Sequence, residues 1–341
     1  MEAIKLFAGG NTPYGFYSYF EDVFDFSRAG RLFIVKGGSG VGKGTLIKKA
    51  GKVLEKFGDT EYYYCSGDPD SLDGVYSDKL NIAIMDGTAP HVMEPKIAGI
   101  SGEIINLGDF LDIDKLNERR TEIENAVRLK KYLYSLAYGY LGAAGQIDGV
   151  TIGIEQRRLN QGFIDSKASA FLEKYPELNK GGRVKKAFIQ AVTPGGVIDF
   201  EESTAGKNKV YVRANDTTIS VFLSKIYQSL LLKGYDIDLY FKPLRPTMPT
   251  AMLIRDTNQL ITATENLSSI DLTSALELST QENNMIKGNK SVCDRLVSRA
   301  VEQLSSAKRV HKDMEKYYVA AMDWAKAEAL TERFLSVLQN L

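Results

Sequence analysis

The sequence predicts an α/β fold in which a parallel sheet is flanked by helices, duplicated in tandem, with each copy followed by a helical appendage. Three observations lead to this prediction. A short apolar strand, a glycine-rich loop and an amphipathic helix follow one another between residues 31 and 58. Further apolar strands come at intervals after that helix, and short motifs of the first hundred residues recur between residues 188 and 240.

The first copy can be followed element by element. Leu32–Val35 is a continuous apolar run of strand-forming residues, as expected of a buried parallel strand. The glycine-rich stretch leads into a helix whose apolar stripe runs from Leu46 to Phe57 and is closed by Gly58. Further strands are predicted at 61–65, 81–85 and 103–107. Because helices and loops separate these strands, we expect a parallel sheet.

Two blocks of the chain repeat in the same order. Residues 7–15 resemble residues 188–196 at an offset of 181, which is 188 minus 7. Farther along, Lys36 matches Arg213 at an offset of 177, which is 213 minus 36, and that offset places Tyr63 on Tyr240. The shared order indicates a tandem duplication. The predicted divisions are an α/β core at 1–111, a helical appendage at 112–181, a second α/β copy at 182–280 and a helical region at 281–341.

The first appendage has a helical pattern of apolar residues. Its stripe runs from Ile123 to Leu141. Several glycines then occur between residues 142 and 149, and they predict a break in the helix. A second helical stretch is expected near residues 153–174.

The strongest functional signal is the glycine loop, Gly37–Thr45. Glycines let backbone N–H groups close around an anion, and the helix that follows adds the positive end of its dipole. In this Walker A pattern, Lys43 reaches the β- and γ-phosphates of a nucleoside triphosphate. The predicted nucleotide-binding residues are Gly37, Gly38, Ser39, Gly40, Val41, Gly42, Lys43, Gly44 and Thr45.

The loop departs from the usual pattern at one position. A serine or threonine normally follows the lysine and ligates Mg²⁺, whereas here Gly44 intervenes and the hydroxyl comes at Thr45. Thr45 could contact the metal directly, contact it through water, or bind the α-phosphate instead. Ser39 is an alternative source of the hydroxyl.

Carboxylates follow the neighbouring strands. Asp86 ends the run at 82–85 in the manner of a Walker B aspartate that holds Mg²⁺, although such a residue is also common in turns. Asp68, Asp70 and Asp73 follow the strand at 61–65. Ligands of open α/β sheets bind at the carboxyl ends of strands, so one of the three could position a water or accept a proton. An Asx-type turn is the alternative reading of this cluster.

Other groups could complete such a site. His91 could sense the γ-phosphate or donate to a substrate, although a lone histidine is more often structural. A metal site made by Cys65, His91 and the aspartates matches no zinc spacing. An arginine could stabilise charge on the transferred phosphoryl group, or could simply lie on a solvated helix face. The candidates for that role are Arg119, Arg120, Arg157 and Arg158.

The second copy lacks the residues that phosphate binding requires. Under the repeat, the glycine loop corresponds to residues 214–222, which contain neither glycine nor lysine, and Asp216 there would repel phosphate. The strand that ends at Asp86 corresponds to one that ends near Ala263 and Thr264. The sequence therefore predicts one competent nucleotide site and one structural pseudo-copy.

Composition limits the classes of partner. Lysine plus arginine equals aspartate plus glutamate at 43 each, which argues against nucleic acid and against an anionic membrane surface. No apolar run reaches membrane-spanning length, and the first residues lack the pattern of a signal peptide. The two cysteines fit a reducing compartment, so we expect a cytoplasmic protein.

These motifs together carry a resemblance. The segments 7–13, 37–45, 65–74 and 86–91 resemble an uncharacterised bacterial family of tandem P-loop ATPase-like proteins, most specifically over the first hundred residues. The G-K-G-T form of the loop is similar to that of adenylate kinases and related nucleotide kinases. The resemblance implies a P-loop NTPase fold and ATP binding, but it does not supply a substrate. In that family the second copy can also carry a phosphate loop, and this chain departs from the family there.

The expected ligands are ATP and Mg²⁺, with ATP preferred to GTP because the first copy has no N-K-x-D motif. We expect either hydrolysis of ATP or transfer of its γ-phosphoryl group to a small molecule. The alternative is a nucleotide-dependent switch or scaffold with little turnover that binds a protein partner. A nucleic-acid motor is the least favoured, since the chain has no basic stripe.

Overall fold

A computed structural model describes residues 3–24, 30–97, 99–100, 102–201, 208–264 and 269–340. The chain forms two six-stranded sheets, each flanked by helices, so the predicted α/β class is confirmed. The prediction that the sheet is parallel is wrong, because each sheet contains one strand that runs against its two neighbours.

Up to residue 106, the described residues of the first half form eight strands and two α-helices. They are β1 (Ile4–Leu6), β2 (Gly9–Thr12), β3 (Gly15–Ser18), α1 (Phe20–Val23), β4 (Arg31–Lys36), α2 (Lys43–Leu54), β5 (Thr60–Tyr64), β6 (Leu72–Ser77), β7 (Ile82–Asp86) and β8 (Gly102–Asn106). Six of the strands form one sheet in the order β1-β5-β6-β7-β4-β8. The pairs β1–β5, β7–β4 and β4–β8 are parallel.

The antiparallel strand β6 was not predicted from the sequence. After β5 the chain reverses in a turn in which Ser71 N donates to Asp68 O at 2.8 Å, and it returns as β6, antiparallel to both β5 and β7. All six residues of β6 are buried. Asp73 and Gly74 interrupt its apolar pattern, which is why sequence periodicity does not reveal it. Asp73 therefore lies on a central strand, whereas Asp68 and Asp70 lie in the turn.

The second half repeats this arrangement. Its elements are β9 (Val184–Phe188), β10 (Gln190–Thr193), β11 (Gly196–Asp199), β12 (Asn208–Arg213), α6 (Asp216–Leu232), β13 (Ile237–Lys242), β14 (Arg245–Ile254), β15 (Gln259–Thr264) and β16 (Ile270–Asp271). The sheet order β9-β13-β14-β15-β12-β16 and the strand directions match those of the first sheet. Two similar sheet–helix halves are thus present, and a tandem duplication remains our interpretation of them.

The two halves pack sheet to sheet. Leu6, Ile34 and Tyr63 of the first sheet share one apolar cluster with Tyr240 and Leu253 of the second. At the seam, the backbones of Phe7 and Phe188 exchange two N–H···O bonds of 2.9 Å. These two residues correspond under the 181-residue offset, so equivalent positions of the halves meet each other.

Helices of each half cross over to the other. The first half continues into α3 (Ile113–Asn117), α4 (Arg120–Arg158) and α5 (Gln161–Leu172), and the second into α7 (Thr280–Ala321) and α8 (Trp324–Gln339). Helix α5 packs on α6 of the second half, whereas α8 packs on α2 of the first. On the outer side of each sheet, the helix of that half is therefore covered by a helix from the opposite half.

The long helices α4 and α7 form an antiparallel pair. Arg158 bonds to Glu282 at one end of the pair, and Lys130 lies beside His311 toward the other. The predicted break at residues 142–149 is wrong, because α4 is continuous through these glycines. A Cβ atom at Gly145 would collide with Pro13 in the β2–β3 turn, so this glycine lets the turn approach the helix. None of the helices in the described part of the chain has the length and apolar character needed to cross a bilayer.

Candidate functional site

The glycine loop connects β4 to the first turn of α2. Its path requires left-handed backbone at three glycines, with φ of 146° at Gly37, 67° at Gly40 and 93° at Gly42. Side chains with a Cβ rarely adopt such angles, so the sequence fixes this turn. Gly42 occupies the N-cap position of α2 and offers no side-chain cap. The N–H groups of the first helical turn thus combine with the positive end of the helix dipole.

The side chains of Lys43 and Asp86 lie close together next to the loop. Lys43 Nζ donates to the carbonyl oxygens of Gly37 at 3.1 Å and Gly38 at 2.6 Å, and it lies 3.7 Å from Asp86 Oδ2. Asp86 reaches this position because β7 pairs with β4, which sets it opposite Val35. Its Oδ1 accepts bonds from the backbone N and the hydroxyl of Thr88 at 2.9 and 2.6 Å, which fixes the carboxylate.

Asp73 and His91 form a buried pair beside Asp86. Asp73 Oδ1 lies 3.6 Å from His91 Nε2, and His91 Nδ1 lies 2.8 Å from the carbonyl oxygen of Asp86. The imidazole ring stacks on Phe20 with the ring centres 4.4 Å apart. Burial raises the pKa of the Asp73 carboxyl to about 6, and the nearby charge of Asp86 adds to this rise, whereas His91 opposes it.

Cys65 lies against the same carboxyl. Burial, reinforced by the charge of Asp73, raises the pKa of the Cys65 thiol well above its ordinary value. The thiol is thus held as S–H and shares a hydrogen bond with Asp73. Such a thiol is unreactive and a poor metal ligand.

Asp68 and Asp70 are engaged by the helical pair. Lys308 of α7 lies 2.6 Å from Asp68 Oδ1 and 3.2 Å from Asp70 Oδ2. The Asp70 side chain is 87% exposed, in contrast to the buried Asp73. Of the three aspartates, Asp73 is therefore the one that shares a buried environment with Lys43 and Asp86.

Helix α7 packs directly on the glycine loop. A Cβ atom at Gly38 would lie 2.8 Å from Tyr318, and one at Gly40 would lie 3.2 Å from Val319 and 3.4 Å from Glu315. A side chain at Gly38 would force the ring of Tyr318 to shift, and one at Gly40 would press on Val319. The glycines thus serve close packing as well as the left-handed turn.

Sequence reasoning missed the groups that the helical pair contributes. His311 Nε2 lies 3.4 Å from both Ser39 Oγ and Glu315 Oε1, and His311 Nδ1 lies 3.3 Å from Lys130 Nζ. Burial lowers the pKa of Lys130, and the charge of Lys43 lowers it further, although Glu315 opposes this. No functional role was predicted for His311 from the sequence. No pattern in the sequence indicates which face of α7 lies over the loop.

The four arginines proposed as cationic partners lie elsewhere. Arg119 pairs with Glu122 and Arg120 with Glu124, each within its own helix turn, and Arg158 pairs with Glu282. In the described ranges none of these three, nor Arg157, lines the cavity beside the loop. The cations that the helical pair brings to this cavity are Lys130 and Lys308.

The predicted loop, aspartate and histidine residues all line one cavity of about 940 Å³. Its floor is the glycine loop and the first turn of α2, and its walls come from the β5–β6 turn, the end of β7, α4, α7 and α8. Besides Gly37–Thr45, the predicted residues in its lining are Asp68, Asp70, Asp73, Asp86 and His91. A cavity of this size is within the range of small-molecule sites.

The protein oxygen atoms that the described residues bring to the cavity are too few to hold Mg²⁺ alone, but they could hold it together with phosphate oxygens. Within the described residues, no group of three or more His, Cys, Asp or Glu side chains could hold a metal ion. Mg²⁺ is usually bound by one or two carboxylates plus substrate phosphates, so the Asp86 carboxylate and nearby hydroxyls fit that mode. The residues present are thus compatible with a metal ion that is already bound to phosphate.

The corresponding place in the second half is filled by protein. Glu155 of α4 accepts a bond from Asn215 Nδ2 at 2.7 Å and another from the hydroxyl of Thr217, at the N-terminus of α6. Arg245 donates two bonds of 2.7 Å to Asp148 of α4. A carboxylate of the chain itself therefore occupies the helix terminus where an anion would bind.

A scan against models of protein families finds none that matches this chain. Searches of curated proteins and of solved structures likewise find no significant match.

Proposed function

We propose that the chain binds ATP with Mg²⁺ at the glycine loop and transfers the γ-phosphoryl group to water or to a hydroxyl acceptor. One observation carries this proposal. Lys43, Asp86 and Asp73 converge in a single cavity at the N-terminus of α2, although they come from three separate elements. That set combines phosphate binding, metal binding and proton transfer.

The loop would bind the triphosphate through its backbone. The N–H groups of residues 38–45 and the helix dipole attract the phosphate oxygens. Lys43 would exchange its bonds to the Gly37 and Gly38 carbonyls for bonds to the β- and γ-phosphates. Mg²⁺, when bound, would offset the charge of the phosphates. Asp86 would hold the metal, with its orientation fixed by Thr88.

Asp73 would accept the proton of the nucleophile. As the oxygen of water or of an acceptor hydroxyl bonds to the γ-phosphorus, its proton passes to the Asp73 carboxylate. The bond from the γ-phosphorus to the bridging oxygen breaks, and ADP leaves with the electron pair. A carboxyl whose pKa is about 6 is mostly ionised at pH 7 yet basic enough to take this proton. His91 orients the carboxyl from its position between Asp73 and Asp86.

Lys130 would complete the electrostatics from the opposite side. Its ammonium group lies in the same cavity as Lys43 and is joined to the loop through His311 and Ser39. Two cations facing one partly buried space repel each other, and a polyanion between them would relieve that repulsion. Lys130 would therefore take the charge-stabilising role that an arginine has in related chemistry.

A second candidate, a nucleotide-dependent switch, is favoured by the packing of α7. Tyr318 and Val319 contact Gly38 and Gly40, so a movement of the loop toward α7 would press on these side chains. Helix α7 runs along α4 to the second half, where Glu155 of α4 accepts a bond from Asn215 at the N-terminus of α6. A change at the loop could thus reach a partner-binding surface with little turnover.

The test compares the wild type with Lys43→Ala for ATP affinity and ADP formation, with and without Mg²⁺. Lys52→Ala is the matched control, because Lys52 lies on the same helix but pairs with Glu55 at the surface. We expect Lys43→Ala to lose ATP binding and Lys52→Ala to retain it. Unchanged ATP affinity in Lys43→Ala would contradict the proposal.

Product analysis then separates the functions. ADP formed without an added acceptor indicates hydrolysis, and ADP formed only with a metabolite mixture indicates a kinase. ATP binding with no ADP under either condition would assign the site to the switch.

A further inference from the structure

We infer that the hydroxyl of Ser71 supplies the Mg²⁺-binding oxygen that this loop lacks after Lys43. The inference rests on the proposed binding of Mg²⁺ and ATP and specifies how the metal is held. In the usual Walker A pattern the residue after the lysine is serine or threonine, and its hydroxyl ligates the metal. Here that residue is Gly44.

The Ser71 side chain occupies the space that a side chain at Gly44 would take. A Cβ atom built on Gly44 would overlap Ser71 Oγ, and the next nearest atoms, Ser71 Cβ and Leu72 N, would lie at 3.5 and 3.7 Å. The Ser71 hydroxyl oxygen thus lies in the space into which the side chain of a serine at position 44 would extend. The missing group is restored from a different segment of the chain.

The backbone holds Ser71 in this place on both sides. Ser71 N donates to Asp68 O at 2.8 Å, and Ser71 O accepts from Cys65 N at 3.1 Å. These bonds fix the turn that leads from β5 into β6, the strand that carries Asp73. Ser71 also lines the cavity together with Lys43 and Asp86. The hydroxyl is therefore positioned before any ligand binds.

The two rival hydroxyls are less well placed. Thr45 follows Gly44 on α2, so its side chain is rotated by about 100° around the helix from the position that normally ligates the metal. Its side chain is exposed. Ser39 Oγ lies 3.4 Å from His311 Nε2, on the side of the loop that faces α7. Of the three hydroxyls, that of Ser71 is the one that lies against the Cβ position of residue 44, from which the pattern's hydroxyl would extend.

The test moves the hydroxyl between the two segments. The readout is the affinity for ATP by calorimetry in Mg²⁺ and in EDTA, together with the binding of Mn²⁺ to the ATP complex by electron paramagnetic resonance. We expect Ser71→Ala to bind ATP in EDTA as tightly as the wild type does. In Mg²⁺, the increase in ATP affinity should be smaller than in the wild type by a factor of about ten or more. We expect the double variant Gly44→Ser, Ser71→Ala to recover the Mg²⁺-dependent increase in affinity. The new side chain at position 44 supplies a hydroxyl, and removal of the Ser71 hydroxyl leaves room for it.

The following outcomes separate the inference from the proposed function. Thr45→Val removes the rival hydroxyl but keeps the backbone N–H, so a selective loss of the Mg²⁺ effect in this variant would assign the metal to Thr45 instead. A full Mg²⁺ effect in Ser71→Ala, or its loss in Thr45→Val alone, would overturn the inference while ATP binding stood. If the wild type bound no ATP in either condition, the proposed function would fail and the inference with it.

Discussion

The Asp73 carboxylate lies 3.6 Å from the Nε2 atom of His91, and both side chains are buried. The other ring nitrogen of His91 lies 2.8 Å from the carbonyl oxygen of Asp86, so the imidazole connects the proposed proton acceptor to the proposed metal ligand. Stacking on Phe20 holds the ring between them. Asp73, His91 and Asp86 are thus linked through direct contacts, and a substitution of one should alter the position or the pKa of the others.

Removing the charge of Asp73 should greatly slow ADP formation but leave ATP affinity nearly unchanged. Asp73→Asn keeps the shape of the side chain but cannot accept a proton, so we expect ADP formation to fall by about 10²- to 10⁴-fold. ATP affinity should change little, since Lys43 and the loop are intact. Asp70→Asn is the control because Asp70 is exposed and paired with Lys308. An equal loss of turnover in both variants would remove Asp73 from this role.

The same substitution should stabilise the fold near neutral pH. The pKa of Asp73 is raised from 3.8 to about 6 in the folded chain, so its favourable contribution is complete below pH 3.8 and is lost as pH rises through 6. At pH 8 the buried charge opposes folding, and Asp73→Asn should raise the free energy of unfolding by up to about 3 kcal/mol. Urea unfolding at pH 8 and pH 5 measures this. A gain that does not shrink at the lower pH would contradict it.

Turnover should depend on pH through this one carboxyl. Because Asp73 accepts a proton only when ionised, the rate should fall as pH drops below about 6, roughly tenfold for each pH unit. The measurement is the initial rate of ADP formation between pH 5 and pH 8 at saturating ATP. The residual rate of Asp73→Asn should lack this inflection. An inflection that persists in the variant would have to come from another group.

Lys130 should matter more for the rate than for affinity. Lys130→Met keeps the length of the side chain but removes the cation that faces the loop beside His311, so we expect turnover to fall on the order of a hundredfold. Lys131→Met is the matched control, since Lys131 is the next residue on α4 and is exposed. A parallel loss of ATP affinity and rate in Lys130→Met would instead indicate simple ground-state binding.

The chain should bind one nucleotide, because Glu155 already fills the second helix terminus. Glu155→Ala would leave Asn215 and Thr217 without their partner and should cost about 1–3 kcal/mol of unfolding free energy. ATP affinity at the glycine loop should be unchanged. Calorimetry of the wild type gives the stoichiometry, and two nucleotides per chain would refute the single-site prediction. Glu122→Ala, at an exposed position of α4, is the control for stability.

Local sequence was enough to predict the glycine loop and the end of β7. Three left-handed glycines, one lysine and one apolar strand leave few alternatives for the backbone between residues 31 and 54. The α/β class follows from the same patterns. Asp86 was expected at the loop because it ends an apolar strand in the manner of a Walker B aspartate, and β7 does pair in parallel with β4.

What the sequence could not predict depends on contacts between distant segments. Strand β6 is hidden by a polar residue, Asp73, whose burial only the neighbouring strands explain. His311 and Lys130 reach the loop because α4 and α7 pair in one register, and no local pattern sets that register. The glycines at 142–149 resemble a break, but Gly145 is there to admit Pro13.

Because α5 packs on the second half and α8 packs on the first, translation determines the order in which the molecule can be completed. The ribosome makes the glycine loop within the first 45 residues, yet the helix that closes over α2 lies at Trp324–Gln339. The nascent first half consequently leaves the ribosome with a bare apolar face on α2 and with α5 awaiting a surface not yet synthesised. The proposed nucleotide site would therefore be completed only late in synthesis, and neither half would be expected to fold as an independent unit.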